Sequence, residues 1–213
     1  MAEGLRERKK RQARQHISDV ATGLFLERGF DAVTIAEVAE AADVSVNTVY
    51  NYFQAKEDLF LDRAKGGVAR LSRFVRARDK GESAAVAVLR ELRGEVEAVS
   101  AQVGLIDGYD RFMKVVEGAA GLRARLWHMQ QESLVLLEET LREETGAPPD
   151  DPLPSLMAGQ INWVHTTLLA LIGREVMAGR PLDEVSREAL GLLDDMEDLL
   201  SEKVLNYALR GDG

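Results

Sequence analysis

The sequence predicts an all-α protein, with a three-helix N-terminal head joined to a larger C-terminal helical bundle and about nine helices in all. Three observations carry this. All five prolines fall at 148, 149, 152, 154 and 181, so residues 1–147 contain no obligatory helix breaker. Apolar residues recur at helical spacing along most of the 213 residues. No segment alternates apolar and polar residues as a half-buried strand would.

The elements follow in order. Ile17, Val20, Ala21, Leu24 and Phe25 form the stripe of an amphipathic first helix, and Gly29 stands where a C-terminal cap belongs. Thr34-Ile35-Ala36-Glu37 has the spacing of a capping box, so the second helix starts at about 34 and ends near Ala42. Asp43-Val44 make a short turn, and Ser45 is a good N-cap for a third short helix that runs to about Phe53. Beyond it the spacing predicts helices over 56–79, 82–103, 106–117, 119–145, 153–179 and 182–210. Gly81, Gly104, Gly118, Gly146 and the proline-rich run 147–152 supply the breaks. The apolar series Leu182, Val185, Ala189, Leu192, Leu193, Met196, Leu199, Leu200 and Val204 gives the last helix a broad face suited to a bundle.

Composition narrows the function classes. With 46% hydrophobic and 30% charged residues the chain reads as a folded globular protein rather than a disordered one. The absence of cysteine excludes a disulfide framework, a thiol nucleophile and a thiolate metal site, and three histidines leave little room for a metal cage. No metal or cofactor is expected. The basic N-terminus has no apolar core after it, so no secretory signal is read and a cytoplasmic location is expected. Residues 152–173 carry no charge over a membrane-spanning length, but Pro152, Pro154, Gln160, Asn162, His165 and Thr166 make a buried helix the better reading. The net charge of −9 argues on totals against nucleic acid. By position it does not: residues 1–56 hold eight basic and eight acidic residues, so the whole deficit lies in 57–213.

Two short helices separated by a three- to four-residue turn form a helix-turn-helix, whose second helix enters the DNA major groove. Residues 16–61 closely resemble the DNA-binding head of TetR-family transcriptional repressors. The resemblance rests on Arg28-Gly29-Phe30, on Thr34 opening helix two, on Ile35-Ala36-Glu37-Val38-Ala39, and on Val44-Ser45 before Thr48-Val49-Tyr50-Asn51-Tyr52-Phe53 and Lys56-Glu57. It implies a DNA-binding domain at 1–56 and a ligand-binding and dimerisation domain at 57–213.

Chemistry supports the residues it carries over. The hydroxyls of Thr34 and Ser45 sit at helix N-termini, where backbone N–H groups favour a phosphate. Asn47 and Thr48 lie in the first turn of the recognition helix, and an Asn can pair bidentately with adenine. Val46 fits a thymine methyl. Tyr50 and Tyr52 offer phenolic hydroxyls to phosphates or a ring face to a base edge, Asn51 belongs to the same run, and Lys56 adds a charge for the backbone. Two positions depart from the family pattern: Asp43 stands where the turn commonly has Gly, and Gln54-Ala55 lacks a capping side chain. Arg6, Arg8, Lys9, Lys10, Arg11 and Arg14 crowd the start of helix one against Glu3 and Glu7 alone. They read either as an arm for phosphates and the minor groove or as a solvated, frayed terminus.

In the resembled family the body binds a small inducer and dimerises through its last two helices. Here Trp127, His128, Gln131, Asn162, His165 and Thr166 interleave with aliphatic residues on two long helices, the mixture of a mostly apolar pocket with a few polar groups. Leu71, Phe74, Tyr109, Phe112 and Met113 are candidate further walls. Core packing competes with ligand contact at each of them, and His165 shares a face with Ile161, Leu168 and Ile172 that also suits a dimer seam. The expected protein is a homodimer on a palindromic operator in double-stranded DNA, released by a partly apolar small molecule. A dimeric DNA-binding regulator with no ligand is the competing reading. A small helical enzyme using His128 or His165 is a third, against which stands the absence of H-E-x-x-H, a phosphate-binding glycine loop and a nucleophile elbow.

Overall fold

The computed structural model describes residues 4–211, which are helical with no strand among them. They pack as two compact units, one of residues 4–65 with 114–127 and one of 66–113 with 128–211. We call them the head and the body. The head therefore extends past the sequence boundary at residue 56, because Leu59, Phe60 and Leu61 are all buried and cannot be left out of its core.

In the head, α1 (Leu5–Arg28) ends where Gly29 turns to a φ of +87° and its N–H donates to the Phe25 carbonyl. The expected stripe is the buried face: Ile17, Ala21 and Phe25 are wholly enclosed. Phe25, Phe30 and Phe60 stack edge-on or tilted, with ring centroids 5.0–6.5 Å apart, and form the aromatic centre of the head. The Ser18 hydroxyl donates to the Leu59 carbonyl and ties α1 to α4 (Lys56–Phe60). Between them lie α2 (Ile35–Ala41) and α3 (Val46–Tyr52).

The helix expected over 56–79 is three pieces: α4, α5 (Asp62–Lys65) and α6 (Arg70–Ala77). The three consecutive buried residues 59–61 face more than one side of a helix, and Gly66-Gly67 follow, each costing about 1 kcal/mol in a helix interior relative to Ala. The helix expected over 82–103 is α7 (Ala84–Glu97), capped by the Ser83 hydroxyl and stopped at Val99, whose φ of +48° a β-branched residue cannot continue as helix. A 3-10 turn at Ala101–Val103 follows.

Next come α8 (Tyr109–Gly118), α9 (Ala120–Thr145) and α10 (Leu153–Met177), close to the expected spans, and then α11 (Leu182–Leu199). The final helix does not reach 210. Leu200 is buried in extended backbone, α12 (Glu202–Leu205) restarts after Ser201, and the terminal segment hydrogen-bonds to residues 81–84. The body core joins α6, α7, α9, α10 and α11 through Leu71, Leu92, Leu137, Ile161, Leu168 and Leu193. The uncharged stretch of α10 is thus core: Met157, Ala158, Ile161, Val164, Leu168 and Ile172 are buried. Among the described residues no helix is long and apolar enough to cross a membrane.

A buried ion cluster holds 114–127 in the head. Asp58 is 6% exposed and accepts from Lys65 at 3.0 Å and Arg125 at 3.1 Å. Burial alone would raise its carboxyl pKa, but the hydrogen bonds and charges of Lys65 and Arg125 outweigh it and hold the group below the ordinary carboxylate value. The neighbouring Glu57 carboxylate lies 2.5 Å from where a Cβ on Gly121, one helical turn before Arg125, would stand. Asp58→Ala leaves two cations facing each other and is expected to cost about 2 kcal/mol of head stability, measured by urea unfolding. Because the Asp58 pKa is lower in the folded state than in the unfolded chain, its contribution is present above the unfolded value. It is lost on acidification through the folded one.

Candidate nucleic-acid interface

The geometry of the head is set by three short pieces of local chemistry. At the start of α2 the Thr34 hydroxyl accepts from the Glu37 N–H at 3.2 Å while the Glu37 carboxylate accepts from the Thr34 N–H at 2.7 Å, the reciprocal capping box expected. The Thr34 hydroxyl also donates to that carboxylate at 2.8 Å. Arg28 closes the other carboxylate oxygen at 2.6 Å. Glu37 is accordingly pushed down to about 2, by the Thr34 backbone N–H first and by Arg28 and the Thr34 hydroxyl next. In the turn, the Val44 N–H donates to the Ala39 carbonyl and Asp43 takes a φ of +53°, the left-handed backbone that the position demands and that Asp enters less readily than Gly. Ala39 is 2% exposed, so the turn closes against a side chain with nothing to displace.

Ser45 then caps α3, accepting from the Thr48 N–H at 3.1 Å and sharing a 2.8 Å hydrogen bond with the Thr48 hydroxyl. Val49 and Phe53 are buried and anchor the helix. Val46, Asn47, Tyr50 and Asn51 form its exposed face, with Val46 39% and Tyr50 53% exposed. Large apolar and aromatic side chains left in solvent on a helix this short have no packing role inside the head. Thr48 and Tyr52 are half-buried.

Two of the expected cations are used differently. Lys56 donates its ammonium to the Phe30 carbonyl and lies 4.3 Å from the Phe30 ring centroid and 5.5 Å from that of Phe25. It clamps the aromatic centre and secures an α4 whose N-cap, Ala55, makes no capping hydrogen bond. Arg14 reaches the Asp62 carboxylate at 2.6 Å and the Tyr52 carbonyl at 3.2 Å, and its guanidinium lies 4.8 Å from the Phe53 ring centroid. It fixes the C-terminal end of α3. The run before it belongs to α1 and is helical from Leu5, not a frayed coil. Arg6, Lys9 and Lys10 line an open cleft with Thr48, Asn51 and Tyr52 of α3. Glu3, counted against the basic run, lies outside the described residues.

The family model for bacterial regulatory proteins of the tetR family matches residues 17–62, the span of this geometry. The head is that of a TetR-family transcriptional regulator. Among curated members the chain is 28% identical over 155 residues to the transcriptional regulator TcmR of Streptomyces glaucescens, which covers 70% of this chain and 67% of that protein. It is 33% identical over 84 residues to AcrR of Shigella flexneri, 38% of each chain. Among solved structures, NalD of Pseudomonas aeruginosa, the secondary repressor of the MexAB-OprM multidrug efflux pump, shares the fold. It has a TM-score of 0.59 at 23% identity, over 90% of this chain and 98% of that one.

The other candidate residues lie beyond this motif, between residues 71 and 166. Leu71 is core, and Phe74, Tyr109, Phe112 and Met113 are half-buried, with Tyr109 and Phe112 stacked at 6.3 Å. Burial raises the Tyr109 pKa. On α10, Asn162 is half-buried and the Thr166 hydroxyl donates back to the Asn162 carbonyl at 2.9 Å, so that hydroxyl is used within its own helix. The ring of His165 faces inward and its Nε2 is buried without a hydrogen-bond partner. Burial, with the charge of Arg70 adding to it, pushes its pKa down to about 4. Trp127 instead belongs to the head, 56% exposed, and His128 and Gln131 are exposed on α9. Arg70 and Glu95 pair at 2.5 Å in the body, a contact that residue type does not announce; the signal in the sequence is that Arg70 shares an i, i+4 face with Phe74.

Thr34→Ala removes the α2 cap and is expected to cost about 1 kcal/mol in thermal or urea unfolding. The folded pKa of Glu37, about 2, lies below its ordinary 4.5. Its contribution is therefore complete above pH 4.5 and disappears as pH falls toward 2, and acid unfolding of Glu37→Gln should lack that component.

Proposed function

We propose that this TetR-family regulator is a repressor whose homodimer holds a palindromic operator and is released when a small, partly apolar molecule enters the body. The observation that carries the DNA reading is the exposed face of α3. Val46, Asn47, Tyr50 and Asn51 stand in solvent on a helix capped and anchored from behind, and the cleft beside Asn51 is walled by Arg6, Lys9 and Lys10 against the single carboxylate of Glu7. In this reading Asn47 and Tyr50 meet base edges, Val46 a thymine methyl, and Ser45, Thr48, Tyr52 and the α1 cations the phosphates. Thr34 serves first as a cap.

A single seven-residue recognition helix makes too few base contacts for tight specific binding, which favours two heads reading half-sites about 34–36 Å apart. Leu156 and Trp163 of α10 and Leu199 of α11 are large apolar side chains left 61%, 39% and 74% exposed, and they support dimerisation through these two helices. Release requires that the ligand bind free protein better than DNA-bound protein. Our reading is that ligand in the body shifts the chain after residue 56 and changes the spacing of the two heads. The helix α9, which supplies residues to both units, gives it a second route. A cytoplasmic location fits this role.

Selection of bound DNA from a random pool should return a two-fold-symmetric site, and a site without symmetry would remove the dimeric operator. Asn47→Ala and Tyr50→Ala are each expected to weaken operator binding by roughly tenfold or more with fold and dimer unchanged. Wild-type affinity in both would refute the assignment of the α3 face. Replacing Lys9 and Lys10 with Ala should weaken binding to all sequences alike and reduce the slope of log K against log salt by about 2, measured by fluorescence anisotropy from 50 to 200 mM salt.

A further inference from the structure

The basic residues at the start of α1 share one stripe but are used in two ways. Arg6, Lys10 and Arg14 are four residues apart and lie on one face of the helix. Arg6 and Lys10 open onto the cleft beside Thr48, Asn51 and Tyr52, where Glu7 is the one carboxylate among the lining residues. Arg14, one turn further on, is closed off. Its Nε and Nη2 donate to the same Asp62 oxygen at 3.0 and 2.6 Å, and its Nη1 donates to the Tyr52 carbonyl at 3.2 Å. Its guanidinium lies 4.8 Å from the centroid of the buried Phe53 ring. The Asp62 side chain is 11% exposed, so the pair is shielded from water and salt more than an ordinary surface ion pair.

These contacts place one side chain of α1 on the end of α3. Tyr52 is the last residue of α3, and Phe53 is its cap in extended backbone. The carbonyls of a last helical turn have no partner within the helix, and that of Tyr52 is met from α1. The Ser45 hydroxyl holds the other end of α3. Asp62, the first residue of α5, grips the guanidinium on one edge while Tyr52 takes the other. A planar guanidinium can donate along two edges at once, which the point charge of a lysine ammonium does not reproduce. Asp62 balances the charge, so the pair offers no net cation to a phosphate.

We propose that Arg14 and Asp62 are positioning residues for sequence readout: together they set the register between the cations of α1 that face phosphates and the residues of α3 that face bases. This rests on the reading that the outer face of α3 meets base edges, and it adds what holds that face in register. A hydrogen bond to a base edge needs a separation of about 2.7–3.2 Å and good alignment, whereas a flexible lysine follows a phosphate through larger displacements. Loosening the tie therefore costs discrimination between sequences and leaves the sequence-independent attraction in place.

The test uses the full chain, the duplex recovered by selection from a random pool, and a scrambled duplex of the same length and composition. Arg14→Gln, Asp62→Asn and the double variant are titrated by fluorescence anisotropy from about 50 to 200 mM salt. Each single variant is expected to bind the selected duplex at least about tenfold more weakly while staying within about threefold of wild type on the scrambled one. The double variant should lose no more than the weaker single variant, since the two residues act as a unit. It also keeps the net charge of the head, so its slope of log K against log salt should match that of the wild type. Arg14→Lys, which keeps the charge without the planar fork, should lose at least about threefold in discrimination with the slope unchanged. It decides alone if circular dichroism shows a neutral variant unfolded. A slope lower by about 1 in the double variant, with equal weakening on both duplexes, makes Arg14 a phosphate contact and overturns the proposal. Equal weakening at an unchanged slope reduces the pair to a stabiliser of the fold and overturns it too. Wild-type discrimination in every variant overturns it and leaves the reading of α3 intact. If selection enriches no sequence, the reading of α3 itself falls.

Discussion

A helix of seven residues does not persist in water, because the cost of nucleating a helical turn is recovered only over a dozen or more residues. Residues 46–52 are such a helix, and the head is organised around holding it. Ser45 satisfies the Thr48 N–H in its first turn, Val49 and Phe53 bury its inner face, and Arg14 grips the Tyr52 carbonyl at its end while pairing with Asp62. The capping box at Thr34 and Glu37 does the same for α2, which sets the angle at which α3 leaves the turn. The outer face is then free to be chosen for recognition, and Val46, Asn47, Tyr50 and Asn51 stand there with no part in the head's own packing.

Charge is divided along the chain in a way that matches this division of roles. Residues 1–56 are neutral in total and 57–213 carry the whole −9. Within the head the two signs are further sorted by structure. Arg14, Arg28, Lys56 and Lys65 are committed to internal carboxylates, carbonyls and rings. Arg6, Lys9 and Lys10 remain on the cleft beside α3. An acidic body adds a repulsion that disfavours the duplex everywhere except where the head meets it.

The body obeys a different constraint. Its long helices bury aliphatic stripes in an ordinary way, but Arg70 and Glu95 place an ion pair within it. Burial lowers the pKa of Arg70 and raises that of Glu95, each partly compensated by the other. Keeping such a pair in an interior costs more than an apolar pair of the same volume, so its retention beside Phe74 gives the core a polar centre that packing alone does not require.

Much of this was determined by the sequence alone, because it depends on groups a few residues apart. The capping box spans three positions, the Gly29 cap closes on Phe25 four residues back, and the α1 and α10 stripes follow from helical periodicity, so fold class and the α2-turn-α3 motif were legible. The breaks at Gly66-Gly67 and Leu200 were harder, since propensity weakly opposes helix there and packing of neighbouring segments made the decision. What only the tertiary structure decided is the fate of long, flexible charged side chains. Lys56 meets a carbonyl 26 residues away, Arg14 a carboxylate 48 away and Arg70 a carboxylate 25 away. In the sequence each is an ordinary solvated cation, and whether it stays in solvent, clamps a ring or pairs with a carboxylate in the core depends on which partner the fold brings within reach.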